Sequence, residues 1–119
     1  VDDDPVIQEL AKTTFEQAGC QVQVFSNGRR FADSFSPSAF HLVFLDLMMP
    51  EMDGFGVLQN LQSRFAASDL PPIIVFSAVS RRDSVVKALQ NGVKSYLIKP
   101  LKPQQLKAKA IEVLKIDFV

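Results

Sequence analysis

Two short runs of almost wholly apolar residues, 41–45 (HLVFL) and 73–76 (IIVF), constrain the fold more than anything else in the chain. A strand with one face in water alternates apolar with polar residues. A strand covered on both faces does not, and such strands belong to parallel sheets flanked by helices. A third run, 95–98 (SYLI), is read as the last strand, and 21–25 (QVQVF) alternates and is β-prone. Helical spacing fills the gaps between these runs. Asp4-Pro5 has the form of an N-cap followed by proline at the first helical position. Ile7, Leu10, Ala11, Phe15 and Ala18 then recur at helical spacing until Gly19. A short helix is predicted over 29–35. Val57, Leu58, Leu61 and Phe65 mark another. Ser80-Arg81-Arg82-Asp83 has capping-box form, with Val85, Val86 and Leu89 as the inner stripe of the helix it opens. Pro103 begins the last helix, with Leu106, Ala110, Val113 and Leu114 facing inward.

Strands that alternate with helices predict an α/β fold, a parallel sheet with helices on both faces. One irregularity stands out. Asp2 follows Val1 at once, although a strand is expected ahead of this acid cluster. The chain therefore reads as trimmed, its first strand missing or reduced to a stub.

With 119 residues the chain is one domain, 1–119. A domain of this length buries about two-thirds of its unfolded surface and needs no metal or disulfide merely to fold. The lone Cys20 has no partner for an internal disulfide and is expected to act as a small apolar group, which suits a reducing, cytoplasmic setting. No apolar run approaches the roughly 18 residues of a membrane span, and no signal peptide is visible. Thirteen basic residues balance thirteen acidic ones, so no overall field draws the chain to nucleic acid or an anionic membrane. The balance is uneven along the chain, however. Residues 1–80 hold ten acids and four bases, and residues 81–119 hold nine bases and three acids. The C-terminal third is either a set of solvated helix faces or a basic face that meets a partner.

Ligands of open α/β sheets bind beyond the carboxyl ends of the strands. Asp2 and Asp3 follow the expected first strand, Asp46 follows 41–45, Ser77 follows 73–76, and Lys99 follows 95–98. Parallel strands gather these ends on one edge. A like-charged pair about 4 Å apart costs about 4 kcal/mol at an effective dielectric near 20, so a cation must sit among the three carboxylates. Lys99 is one candidate. A divalent ion is the other, and an all-oxygen ligand set suits Mg²⁺. Taken singly, each residue has a plainer role: Asp2 to Asp4 as acids at a helix N-terminus, Asp46 and Ser77 in turns, Lys99 on the surface. His41, at the start of a strand, is read as structural. The joint placement of the acids, the hydroxyl and the lysine is what points to a site.

These residues resemble the receiver domain of two-component response regulators over essentially the whole chain. The acid pair matches Asp2-Asp3. The phosphoacceptor loop matches the specific run Asp46-Leu47-Met48-Met49-Pro50-Glu51-Met52-Asp53-Gly54. The hydroxyl position matches Ser77-Ala78, the switch aromatic matches Tyr96, and the lysine–proline pair matches Lys99-Pro100, a peptide bond that is cis in relatives. The resemblance implies a flavodoxin-like, doubly wound, five-stranded sheet of order 2-1-3-4-5. It implies that Asp46 takes a phosphoryl group from a phosphohistidine on a histidine kinase or phosphotransfer protein. Mg²⁺ would be held by Asp3, Asp46 and the Met48 backbone carbonyl, with Asp2 acting through water. Lys99 and the Ser77 hydroxyl would meet the phosphoryl oxygens. Ser77 and Tyr96 would form the switch, Tyr96 rotating from exposed to inward, and the face of residues 80–115 would change for an output domain, a downstream protein or a second copy of the chain. Such a protein is a switch that catalyses only its own phosphorylation and dephosphorylation. Direct nucleic-acid or membrane contact is not expected of it.

Two positions depart from the pattern. Met48 and Val79 stand where relatives carry polar side chains able to orient a hydrolytic water, which implies slow self-dephosphorylation. Three rivals remain. A Mg²⁺-dependent phosphohydrolase of the haloacid dehalogenase type would use Asp2-Asp3-Asp4 as its Asp-x-Asp motif, but it leaves the Asp46 loop unexplained and finds no acid pair after Lys99. A phosphorylation-independent interaction module would not need Asp2, Asp3, Asp46 and Lys99 intact. A flavodoxin would need a phosphate loop where this chain has acids.

Overall fold

The computed structural model describes residues 1–78 and 82–115. Asp4 is extended, and its side chain accepts the Val6 N–H, which starts helix α1 at Pro5–Gln17. Gly19, at φ +88°, turns the chain out of that helix; a residue with a Cβ would be strained there. Asn27 caps α2, Gly28–Ser34, by accepting from the Arg30 N–H. Strand β1 is Val43–Asp46. Asp53 caps α3, Gly54–Arg64, by accepting from Gly56 N–H. A single 3₁₀ turn, Ala67–Asp69, leads to β2, Ile73–Ser77, every residue of which is buried. Helix α4, Arg82–Gln90, strand β3, Ser95–Ile98, and α5, Pro103–Leu114, complete the order.

The three strands are parallel, in the order β1-β2-β3, with Asp46 beside Phe76 and Ser77 beside Ile98. Alternate residues point to opposite sides, which divides the core in two. Val43, Leu45, Ile73 and Val75 pack with Phe31, Phe35, Val57, Leu58, Leu61 and Ala88, under α2, α3 and α4. Phe76, with Phe44 and Leu97 against it, packs with Phe15, Leu106 and Ala110, under α1 and α5. Helices on both faces of a parallel sheet are the predicted architecture, and the unbroken apolar run 73–76 of β2 follows from it.

Three expectations need correction. Residues 21–25 form no strand. The first strand that would separate them from β1 is represented only by Val1, whose N–H₃⁺ donates to Phe44 O and whose carbonyl accepts from Asp46 N–H. Asp2 N–H donates to Phe25 O, a single rung where a ladder was predicted. An apolar-lined cleft of about 790 Å³ lies between the two segments, bordered by Val22, Phe25, Leu42 and Phe44. Residues 41 and 42 likewise fall outside β1, and His41 is exposed. In α4 the inner residue is Ala88, while Val86 and Leu89 are 41% and 48% exposed. The small Ala88 lets the helix approach the sheet closely; of the predicted stripe, Val85 is half-buried, while Val86 and Leu89 are left outward. The capping box predicted at 80–83 begins outside the described residues.

Candidate functional site

The strand ends meet where the sequence places them. Asp46 closes β1 and is 2% exposed; Asp2 is equally buried. Lys99, just beyond β3, puts Nζ 2.9 Å from Asp2 Oδ2 and 3.2 Å from Asp46 Oδ2. The Lys99–Pro100 peptide bond is cis. Asp3 is exposed, yet Asp2, Asp3 and Asp46 each offer a carboxylate oxygen within 4.8 Å of the others.

Backbone groups hold the two buried carboxylates. Asp4 N–H donates to Asp2 Oδ1 at 2.8 Å, and Met48 N–H donates to Asp46 Oδ1 at 3.1 Å. Each is an aspartate bonding the amide two residues on, the local habit that suits Asp to turns after strands. Gln8 Nε2 donates to the Asp2 carbonyl at 2.7 Å. The loop from 47 to 53 is tied at its base by Gly54 N–H to Leu47 O. A Cβ at Gly54 would come within 2.6 Å of Asp46 O, so the close approach that seats Asp46 requires glycine. Glu51 takes a left-handed φ of 67° to complete the bend. These backbone donors are what sequence reasoning missed. The signal for them, aspartate with a free amide two residues later, was present but is too common to single out.

Burial raises the Asp46 pKa above the ordinary carboxylate range, and the neighbouring Asp2 charge adds to this, while the Met48 N–H and Lys99 oppose it. Burial alone would lower the Lys99 pKa, but Asp2 and Asp46 outweigh it and hold the ammonium protonated, its pKa raised. Asp2 Oδ2 is buried and takes no well-aligned hydrogen bond, although Lys99 lies within ion-pair distance of it. With three carboxylates and one ammonium the cluster carries a formal charge of −2. An under-coordinated buried oxygen, an oxygen-only donor set and two uncompensated charges all fit a hard divalent cation.

Ser77, at the end of β2, is fully buried. Its hydroxyl is hydrogen-bonded to Tyr96, which packs half-buried against the core. The aromatic expected to start exposed is thus already turned toward Ser77. Met48 is 62% exposed at the mouth of the site, and Val79 lies outside the described residues.

A buried acid at the end of the first described strand, paired with a lysine just past the last and lined by further carboxylates, sits at the carboxyl edge of the parallel sheet, where open α/β folds bind their ligands. The chain matches the response regulator receiver domain family over residues 1–111, and it belongs to that family. It is thus a receiver domain of two-component signalling. It is 33% identical over 115 residues to the probable transcriptional regulator ycf27 of Cyanidium caldarium, covering 97% of this chain and 45% of that protein. It is 30% identical over 118 residues to the DNA-binding dual master transcriptional regulator RpaA of Synechocystis sp., covering 97% of this chain and 47% of that one. The chain spans about half the length of these relatives. Its fold is similar to that of the BeF3-activated receiver domain of DrrB, with a TM-score of 0.81 and 28% identity over 97% of this chain and 93% of that one. The receiver fold is flavodoxin-like, with three parallel strands among the described residues.

Proposed function

We propose that Asp46 is the phosphoacceptor of this receiver domain. Its carboxylate oxygen attacks the phosphorus of a phosphohistidine on a kinase or phosphotransfer protein. The P–N bond breaks and its electron pair leaves with the imidazole nitrogen. Supporting this is the convergence of Asp46, Asp2 and Lys99, with the ammonium within 3.2 Å of both buried carboxylates. Lys99 keeps Asp46 ionised before transfer and meets a phosphoryl oxygen afterwards. The Ser77 hydroxyl, at the neighbouring strand end, is the second donor. Asp3, Asp46 and the Met48 carbonyl would hold Mg²⁺, with Asp2 bridging through water. When bound, the ion neutralises charge on the phosphoryl oxygens.

Tyr96 and Ser77 form the switch. Once the Ser77 hydroxyl turns to a phosphoryl oxygen, its hydrogen bond to Tyr96 is released, and the ring resettles on the face built from α4, β3 and α5. That face then signals to an output segment or a separate protein. The transcriptional regulators among the relatives favour an output of that kind. Residues 1–119 act as one domain in the cytoplasm, and the domain itself makes no nucleic-acid or membrane contact. Acetyl phosphate with Mg²⁺ tests the assignment: intact mass should show one phosphoryl group on the wild type and none on Asp46→Asn, and equal labelling of both proteins would reject it.

A further inference from the structure

The chain has three methionines, and all of them lie in the loop that follows Asp46: Met48, Met49 and Met52. Their surroundings differ. Met49 and Met52 are half-buried and pack against the core under α2 and α3. Met48 is 62% exposed. Leu47 before it is buried and Met49 after it is half-buried, so of this stretch the loop leaves Met48 alone to solvent. Its backbone is nonetheless fixed at the site, because the Met48 N–H donates to Asp46 Oδ1 at 3.1 Å. The loop base is tied by Gly54 N–H to Leu47 O at 3.0 Å. An oxidisable sulfur therefore stands in water two residues from the buried carboxylate.

A thioether is apolar and only a weak hydrogen-bond acceptor. One added oxygen makes it a sulfoxide, which is polar, and the change is reversible by methionine sulfoxide reductases. The sulfur lone pair attacks one oxygen of a peroxide and the O–O bond breaks. Sulfur is oxidised by two electrons, and the departing hydroxide takes the remaining proton and leaves as water. Exposure decides which side chain reacts first, so Met48 is favoured over Met49 and Met52. The other peroxide-sensitive side chain, Cys20, is half-buried and borders the apolar cleft rather than the acid cluster.

We propose that Met48 is a site of oxidative modification, converted by a peroxide to the sulfoxide, and that the new oxygen accepts a hydrogen bond from the water that hydrolyses the aspartyl phosphate. That water bonds to phosphorus, and the P–O bond to Asp46 breaks. Its electron pair returns to the carboxylate, and both water protons leave with the phosphate. The inference rests on Asp46 as the phosphoacceptor and deepens that reading: oxidation of one loop residue shortens the phosphoryl lifetime, and reduction restores it.

The test uses the full chain carrying Cys20→Ala, so that methionine is the peroxide-sensitive residue left. Dilute hydrogen peroxide should add one oxygen by intact mass, and peptide mapping should place it on Met48, with Met49 and Met52 unmodified. After removal of peroxide, the chain is labelled with acetyl phosphate and Mg²⁺, and decay of the labelled mass is followed once the donor is withdrawn. The oxidised chain should lose its phosphoryl group severalfold faster than the untreated one, and a methionine sulfoxide reductase should restore the slow decay. Met48→Leu should decay at one rate before and after peroxide. Met48→Gln, which carries a polar oxygen without oxidation, should decay fast in both. First oxidation at Met49 or Met52, a lifetime that the Met48 oxygen does not shorten, or a shortening that persists in Met48→Leu overturns the proposal. Full labelling of Asp46 with an unaltered lifetime sinks the oxidation site and leaves the phosphoacceptor standing. Equal labelling of Asp46→Asn before any peroxide sinks both.

Discussion

Lys99 Nζ stands 3.2 Å from Asp46 Oδ2 across 53 residues of sequence. It lies closer still, at 2.9 Å, to Asp2 Oδ2. The ammonium thus offsets the repulsion of two buried carboxylates at the strand ends. Breaking a buried pair by removing one partner leaves an uncompensated charge, typically worth about 3–5 kcal/mol. Lys99→Ala is expected to lose about 2–4 kcal/mol in urea unfolding at neutral pH, since the site is partly open to water. Asp46→Asn, which removes one clustered charge and keeps an oxygen for the Met48 N–H, should gain about 1–2 kcal/mol. In the Asp46→Asn background the cost of Lys99→Ala should shrink. Additive effects would show that the lysine does not couple the two strand ends.

The residual negative charge leads to a second expectation. An ion that binds the folded chain and not the unfolded one raises stability by mass action. Millimolar Mg²⁺ should raise the thermal midpoint of the wild type, and Asp3→Asn or Asp46→Asn should remove most of that rise. Asp4→Asn should not, because Asp4 serves as the helix cap of α1. A rise that survives both site variants would place the ion elsewhere.

Tyr96 is the single tyrosine of a chain without tryptophan, so its absorbance and fluorescence report one residue. Burial raises its pKa, Asp46 adds to the rise, and the Ser77 hydroxyl opposes it. The fold therefore favours the neutral phenol. The stabilisation from this group is fully present below about pH 10 and is lost as pH rises through the folded value. Phenolate absorbance should show a midpoint above that of free tyrosine, and Ser77→Ala should raise it further by removing the opposing hydroxyl. A midpoint at the free value would mean the ring is in water.

Met48 presents an exposed thioether beside Asp46, where a polar side chain would orient a hydrolytic water. A long-lived phosphoryl group is expected. Met48→Asn combined with Val79→Glu should shorten its lifetime severalfold, measured as decay of the labelled mass after donor removal. An unchanged lifetime would show that these two positions do not govern hydrolysis.

Much of this was legible in the residues themselves. The apolar run 73–76 reads as a doubly covered strand, and Asp46, Ser77 and Lys99 each sit one step past a predicted strand, so a parallel sheet gathers them. Residues 21–25 misled because alternation describes a strand's faces and says nothing of whether a neighbour exists to pair with. With Val1 and Asp2 alone beside them, a single rung forms. The stripe of α4 misled for a different reason. Helical spacing fits more than one inward face, and the small Ala88, which spacing alone does not favour, is the residue that lets α4 settle on the sheet. The pairing of Ser77 with Tyr96 depends on the register of β2 and β3, where Val75 lies beside Tyr96 and Ser77 beside Ile98, and no local pattern encodes that.

The most direct test of the whole account is chemical location of the acyl phosphate. Borohydride reduction of the acetyl-phosphate-treated chain converts a phosphorylated aspartate to homoserine, and peptide sequencing reads its position. Homoserine at position 46 alone is the expected result. Homoserine at Asp2 or Asp3, or at no aspartate after treatment with donor and Mg²⁺, would contradict it.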